Sequence, residues 1–305
     1  MTGPILLTGA TGLLGSRFAA LCAGGVVAVA RDVLDDADPD RLEALVACYR
    51  PAALINCAGD VDADRAEADL GPVLRANIDL PRRLAILCDR TGVLLVHISS
   101  TGCYGDWKSD PYVETDTVRP TSTHHRTKVA GEGVIRAIDP EHLILRTGWL
   151  FGGEAHHRKN FVWRRLLEGA ATRMLRSDTS QIGNPTFADD LVAQTMHLVA
   201  SRARGTFNVV GTGTASRYAY VSAIIETAGL DCRIEPTSAF RRAAPVSFNE
   251  AAINARLSAL GLDLMPPWRR SLHLYLRHVL EWPAWKDISS GMRAGQSVPS
   301  SEKEP

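Results

Sequence analysis

The chain has 305 residues, 45% of them apolar and 22% charged, the composition of a folded globular protein rather than a disordered, collagen-like or coiled-coil one. Its 34 Lys and Arg balance 34 Asp and Glu, so no net basic field exists to draw in nucleic acid or an anionic membrane, and neither is expected as a partner. The length suits two small domains or one large α/β unit with an appendage.

Six cysteines (Cys22, Cys48, Cys57, Cys88, Cys103 and Cys232) are scattered without a CxxC pair, mostly in apolar runs such as LINCAG, as expected of small hydrophobes in a reducing cytoplasm. The opening MTGPILLTGATG has no basic n-region and too short an apolar run for a signal peptide. No uninterrupted apolar stretch approaches the roughly 18 residues of a membrane span, so a cytoplasmic location is expected.

In chain order, PILLT (4–8) reads as a strand buried on both faces of a parallel sheet, followed by a helix from about Gly12 that ends at Gly24-Gly25. VVAVA (26–30) is a second strand, 39–49 a helix, AALIN (52–56) a third strand, and one or two helices fill 64–90. GVLLVHIS (92–99) is strand four, 123–138 a helix and HLILRT (142–147) strand five. This alternation predicts an α/β, Rossmann-type doubly wound parallel sheet. Beyond Thr147 the pattern loosens into short strands near 173–175, 206–210 and 232–235 between helices near 159–169, 188–201, 216–228, 250–260 and 268–282. The expected organisation is a dinucleotide-binding domain over 1–150 and a smaller C-terminal α/β substrate lobe over 151–290, with segments exchanged between them. Residues 291–305 read as a disordered tail.

Directly after the first strand stands Gly9-Ala10-Thr11-Gly12-Leu13-Leu14-Gly15. Three glycines at this spacing supply a tight turn, close approach of backbone to a pyrophosphate and close helix–strand packing, with the helix N-terminus facing the phosphates. The alternative is a structural turn that only packs a helix closely. At the end of the second strand an Asp would hold the ribose 2′-OH of NAD and an Arg the 2′-phosphate of NADP. Here the order is Ala30-Arg31-Asp32, which favours NADP(H) through Arg31 and leaves Asp32 as the NAD alternative.

GATGLLG, NCAG (56–59), Ser99-Ser100 with CYG (103–105) and Lys128 before Gly131-Glu132 resemble an extended short-chain dehydrogenase/reductase. INCAGDVDADRAE (55–67), LVHISS (95–100), PYVETDTVRPT (111–121), TKVAGE (127–132), LILRTGWLFG (143–152), NF (160–161) and QIGNPTFADDL (181–191) stand in the order found in the dTDP-4-dehydrorhamnose reductase family. The resemblance implies NADP(H)-dependent reduction of a carbonyl, or an imine, on a nucleotide sugar or secondary-metabolite intermediate. It makes a small molecule the partner and allows for a homodimer. It further implies a Ser/Thr–Tyr–Lys catalytic set, with Ser100 and Lys128 in two places, Ala58 and Gly59 beside the cofactor, and Thr101, Tyr104, Trp149 and Gln181 at the substrate.

The family's tyrosine belongs four residues before the lysine, where this chain has His124, followed by His125. Three readings follow. His124 can replace the tyrosine as an imidazolium acid, its unperturbed pKa of about 6.5 opposed by the charge of Lys128. Alternatively the cofactor binds but reduction is lost, leaving a regulatory module as in the similar regulatory subunit of methionine adenosyltransferase. Or other chemistry runs on the same scaffold, with Tyr104 or Tyr112 as the acid. The segment Ser100-Thr101-Gly102-Cys103-Tyr104 replaces the family's Thr-Asp-Tyr-Val-Phe, and the family's Arg-Pro-x-Asn-Ser has only Ala244-Pro245-Val246-Ser247 as counterpart. The substrate pocket is therefore expected to differ from the family's.

Trp149 could equally be core packing, Asn77 a locally bonded helix residue, and Asp64 and Glu67 structural groups. The pairs His124-His125 and His156-His157 point to different faces without ligand partners at suitable spacing, so no metal is expected. The apolar stripe Leu272, Leu276, Val279, Leu280 reads as the core-facing side of a helix.

Overall fold

The computed structural model describes residues 3–22, 25–35, 39–154, 157, 159–238, 242–245 and 247–293. Five short strands come first: β1 (Ile5–Thr8), β2 (Val26–Ala28), β3 (Ala53–Asn56), β4 (Leu94–Ser100) and β5 (Leu143–Thr147). With Gly205–Val209 they form one sheet in the order Gly205–Val209, β5, β4, β3, β1, β2, every pair parallel. β1, β3 and β5 are buried along their whole length, as their unbroken apolar runs require when helices cover both faces. β2 ends at Ala28, short of the expected 30, and the chain turns into a short helix, Arg31–Asp35.

On one face, Leu14 and Phe18 of the helix Leu13–Leu21 and Leu191, Val192, Leu198 and Val199 of Ala188–Ala200 pack against Ile5, Leu7, Ile55 and Leu145. On the other, Leu42 and Val46 of Pro39–Tyr49, Leu84 and Leu87 of Leu80–Thr91 and Ile135 of Thr123–Ile138 pack against Leu6, Leu54, Leu95 and Ile144. The strand Gly205–Val209 and the helix Ala188–Ala200 thus lie within this three-layer unit, although both fall in the stretch assigned from sequence to the substrate lobe. Arg17 fastens the two helices with a bidentate pair to Asp189 at 2.6 and 3.0 Å.

The remainder forms a second core around Phe151, Leu166, Tyr220, Trp268, Leu272, Tyr275, Leu276 and Val279. Three two-stranded pairs brace it: Trp149–Phe151 with Pro185–Phe187, Met174–Asp178 with Arg233–Thr237, and Ile182–Gly183 with Ala215–Ser216. The Leu272, Leu276 and Val279 stripe faces this core, as its spacing predicts. Residues 291–293, read from sequence as part of a disordered tail, continue the helix Pro283–Arg293, while 294–305 lie outside the described residues.

The chain reverses direction across the sheet between β1 and β3, and the crevice beyond their carboxyl ends is where a doubly wound sheet holds ligands. Thr8, Asn56 and Ser100 close the three central strands at that end. Thr8 Oγ1 donates to Asn56 Oδ1 at 2.6 Å, Asn56 Nδ2 donates to His97 Nδ1 at 3.0 Å, and the Ala58 amide donates to Asn56 Oδ1 at 3.1 Å. The crevice floor is therefore a polar network tied through Asn56, which leaves the buried His97 Nε2 without a hydrogen-bond partner among the described residues.

Candidate active site

The glycine loop is shaped by close backbone contact. Gly9 adopts φ +68°, and a Cβ there would lie 2.7 Å from the Ala58 amide nitrogen, so the loops after β1 and β3 touch. A Cβ on Gly15 would fall 2.0 Å from the Gly9 carbonyl oxygen. Gly12 caps the helix Leu13–Leu21 with its own amide bonded to Gly9 O at 3.0 Å and no side-chain cap. The amides of Leu13, Leu14 and Gly15 therefore open the helix toward the crevice, a cradle suited to a dinucleotide pyrophosphate. Only the Leu14 backbone can take part, because its side chain is in the core. Thr11 is exposed at the loop tip. Ala58 has its amide committed to Thr8 and Asn56, whereas Gly59 is exposed.

Arg31 is exposed at the start of its short helix, and the competing Asp32 is paired with Arg41 at 3.2 Å. With that carboxylate neutralised, the edge of the cradle suits a 2′-phosphate better than a bare ribose.

The helix Thr123–Ile138 carries the catalytic candidates. Its N-terminus is fixed twice: Ser122 Oγ accepts the His125 amide at 3.3 Å, and Glu67 accepts the Thr123 amide at 2.7 Å and its hydroxyl at 2.6 Å. Glu67 is thus a helix clamp. The same helix sits close to its neighbour, for a Cβ on Gly131 would meet the Asn77 carbonyl oxygen at 2.1 Å. Asn77, in the π-helical turn Arg75–Asp79, bonds the Asp60 amide (2.9 Å), the Asp60 carbonyl (3.0 Å) and Thr127 Oγ1 (3.1 Å).

Lys128 crosses to β4 and donates to Ile98 O at 2.7 Å, its Nζ lying 3.6 Å from where a Gly59 side chain would begin. Burial pulls its pKa down, with Cys103, Glu132 and Cys57 opposing. One turn earlier, His124 is buried, and its Nδ1 has no hydrogen-bond partner among the described residues. Burial, then the neighbouring His125 and Lys128, lower its pKa to about 3. His124 is therefore a neutral imidazole at physiological pH, at odds with the imidazolium acid expected from sequence.

His125 points elsewhere. Its Nε2 lies 3.4 Å from Ser100 Oγ and its Nδ1 3.1 Å from Ser122 Oγ. The ring rests over Gly102, where a Cβ would come within 2.2 Å of it. Ser100 Oγ also accepts the Gly102 amide at 3.1 Å. The structure thus brings Ser100 together with His125, a residue the sequence reading passed over. The available signal was the paired replacement of an aromatic by Gly102 and the appearance of a second ring at 125.

Tyr104 and Tyr112 do not face the crevice. They stack at 4.8 Å in a sealed cluster, and the Tyr104 hydroxyl donates to Asn208 Oδ1 at 2.8 Å. Burial raises both phenols, Tyr104 to about 12, so neither serves as the acid, and Tyr104 cannot touch a substrate. Thr101 is buried beside them at 1% exposure.

Trp149 is held by an Nε1 bond to Glu250 Oε2 at 2.7 Å and carries the Arg217 guanidinium 3.5 Å above its ring. Gln181 Oε1 accepts Arg217 Nε at 2.9 Å. Arg217, Arg164, Arg165, Arg176 and Arg242, with Asp178 as the acidic member, line a cavity of about 800 Å³. Arg217 stays cationic, though burial lowers its pKa to about 10. The arginines come one or two per element, so no motif announced them. The cavity adjoins the catalytic helix: Gln181 Nε2 bonds Ser247 O at 3.5 Å, and Ser247 Oγ lies 2.8 Å from Thr121 Oγ1.

His156 lies outside the described residues; His157 accepts the Lys159 amide at 3.3 Å. Among the described helices none is long and apolar enough to cross a membrane.

Known proteins resemble the chain in sequence and in fold. The model of the RmlD substrate binding domain matches residues 1–281. A dTDP-4-dehydrorhamnose reductase of Mycobacterium tuberculosis is 31% identical over 279 residues, covering 88% of this chain and 90% of the relative. A dTDP-4-keto-6-deoxy-D-glucose reductase of Streptomyces niveus is 31% identical over 283 residues, covering 91% and 94%. The crystal structure of a dTDP-4-dehydrorhamnose reductase from Bacillus anthracis in complex with NADP superposes with a TM-score of 0.85 at 25% identity, covering 91% of this chain and all 100% of that one. By sequence and by fold, the chain belongs to the RmlD substrate binding domain family.

Proposed function

We propose that the protein is an NADP(H)-dependent oxidoreductase that reduces a carbonyl, or the corresponding imine, on a nucleotide sugar. The observation that carries this reading is the cavity of about 800 Å³ with five arginines on its wall, linked from Gln181 through Ser247 to Thr121, two residues before the helix that holds Lys128. Guanidinium groups recognise diphosphate oxygens in pairs, and Arg217 stacked on Trp149 presents its edge at a fixed angle. The named activities of the relatives, reduction of dTDP-4-keto sugars, agree with it.

Gly9, Gly12 and Gly15 leave room for the pyrophosphate, Arg31 faces the 2′-phosphate, and Lys128 binds the nicotinamide ribose. The bound cofactor supplies the hydride. Ser100 donates its hydroxyl hydrogen bond to the substrate oxygen and so favours negative charge developing there. Thr101, buried, and Gly102, covered by the His125 ring, stand where the family has acidic and aromatic side chains, so the sugar end of the pocket is built differently and the sugar accepted differs from dTDP-4-dehydrorhamnose. A second reading, a catalytically silent cofactor-binding subunit, is favoured by one observation: His124, at the tyrosine position, is held neutral.

The test is NADPH oxidation with a panel of 4-keto-6-deoxy nucleotide sugars, run on the natural protein and on His124→Tyr. Turnover by the natural protein supports the reductase. Turnover by the variant alone supports the silent subunit, and tight dTDP binding without turnover by either leaves the cavity reading standing and removes the 4-keto sugars as substrates.

A further inference from the structure

We propose that His125 is the positioning residue of this site, acting through Ser100 to aim its hydroxyl at the substrate oxygen and to return the proton it gives up. The inference rests on the reductase reading and deepens it, because the family's tyrosine is absent and a reduction still needs a proton source.

Four observations place the ring. Ser100 Oγ and Ser122 Oγ flank it at 3.4 and 3.1 Å on its two nitrogens. Its backbone is pinned, since the His125 amide donates to the same Ser122 oxygen. The ring fills the volume that a side chain at 102 would occupy, so only glycine permits this pose. His124, whose ring centroid is 4.8 Å away, makes no contact with Ser100 among the hydrogen bonds of the described residues.

Hydrogen-bond direction supplies the function. The Ser100 oxygen already accepts the Gly102 amide. When His125 Nε2 also donates to it, both acceptor positions are filled and the hydroxyl hydrogen is the free one, turned outward. In the reduction the carbonyl carbon takes a hydride, the C=O π pair moves to oxygen, and that oxygen takes the Ser100 proton. Ser100 is reprotonated from the His125 imidazolium, which becomes neutral imidazole and recovers its proton from water. The charged groups around the ring are Lys128 on the same helix, Arg242 across the cavity edge and Glu250 beside Trp149; Lys128 and Arg242 oppose the imidazolium and Glu250 favours it. Burial is the largest influence and also opposes it, so proton delivery weakens as pH rises from the acid side toward neutrality.

The experiment uses the whole protein with NADPH and whichever 4-keto sugar is turned over, comparing His125→Gln and Gly102→Ala with the natural chain. Gln keeps a donor near Ser100 but cannot titrate; Ala at 102 displaces the ring while leaving it titratable. The expected result is a fall in kcat of about 100-fold in both, KM and NADPH affinity within about three-fold, and loss in His125→Gln of the decline of kcat with rising pH. Unchanged kcat with an unchanged pH profile in His125→Gln overturns the proposal.

Should no sugar be turned over by the natural protein, the reductase reading fails first, and the Ser100–His125 link is read separately by ring-nitrogen NMR. Ser100→Ala is expected to move the His125 ring-nitrogen shifts and its titration. Identical spectra in that variant overturn the link itself.

Discussion

Arg242 and Asp64, 178 positions apart, meet at the mouth of the cavity: Arg242 Nη2 lies 2.9 Å from Asp64 Oδ2, and Asp64 Oδ1 accepts the Ala244 amide at 2.9 Å. One carboxylate on the helix Ala63–Ala68 therefore clasps the segment that forms the arginine-rich wall. The Ala244 amide first and the Arg242 guanidinium second hold this carboxyl below the usual range. The side chains are 39% and 43% exposed, so the contribution to global stability is about 1 kcal/mol or less. Asp64→Ala is expected to leave the melting temperature nearly unchanged and to weaken dTDP binding roughly three- to ten-fold by loosening the wall. Titration calorimetry reads this directly, and equal affinity would show that the clasp has no hold on the cavity. Because the folded pKa is depressed, the clasp is complete above the unfolded Asp value of about 3.9 and is lost as pH falls through the folded one.

The glycine loop makes a graded prediction. A Cβ at Gly15 meets backbone oxygen at 2.0 Å and one at Gly12 meets the same oxygen at 3.2 Å. Backbone cannot swing aside as a side chain can, so Gly15→Ala must shift the helix Leu13–Leu21, costing about 1–3 kcal/mol. Gly12→Ala needs only a few tenths of an ångström. NADPH affinity by fluorescence quenching is expected to fall in the order Gly15→Ala well below Gly12→Ala; the reverse order would mean that the glycines serve cofactor approach rather than helix packing.

Arg31 decides the cofactor. Its rival Asp32 is occupied by Arg41, leaving Arg31 the exposed charge at the end of β2. Replacing Arg31 by Ala is expected to reduce the preference for NADPH over NADH about ten-fold, the value of one charge-assisted hydrogen bond, with NADH affinity little altered. A preference that survives the substitution would hand the 2′-phosphate to another cation.

Much of the architecture was legible because its causes are local. Strands buried on both faces leave unbroken apolar runs, and the helices Pro39–Tyr49 and Thr123–Ile138 have the bounds that their patterning predicts. The place of Gly205–Val209 beside β5 was not legible, since a parallel pairing across some sixty residues leaves no local mark. Tyr104 differs from expectation for a related reason: its family position suggests a pocket, but Asn208, which takes its hydroxyl hydrogen bond and helps to bury it, comes from a distant segment. At the site, Lys128 follows from helical spacing, whereas the seat of His125 depends on an atom missing at Gly102.

Glu132 tests how firmly that site is held. It is fully buried, accepting Ser99 Oγ at 2.6 Å, Arg146 Nε and Nη2 at 3.0 and 2.6 Å, and Arg136 Nη1 at 3.1 Å. It thereby joins the catalytic helix to β4 and β5 one turn beyond Lys128. Burial alone would raise its pKa, but Arg146, Ser99 and Arg136 together bring it below the usual value. Glu132→Gln leaves the Arg146 guanidinium, 4% exposed, without its counter-charge. A loss of about 3–5 kcal/mol is expected, seen as a melting temperature lower by roughly ten degrees at neutral pH. The sign with pH follows from the depressed folded pKa. The carboxylate's contribution is complete above the unfolded Glu value of about 4.3 and disappears as pH falls through the folded value. The melting curves of the two proteins are therefore expected to converge in acid, and a gap that stays constant down to pH 3, roughly one unit below the unfolded value, would assign the loss to packing rather than to charge.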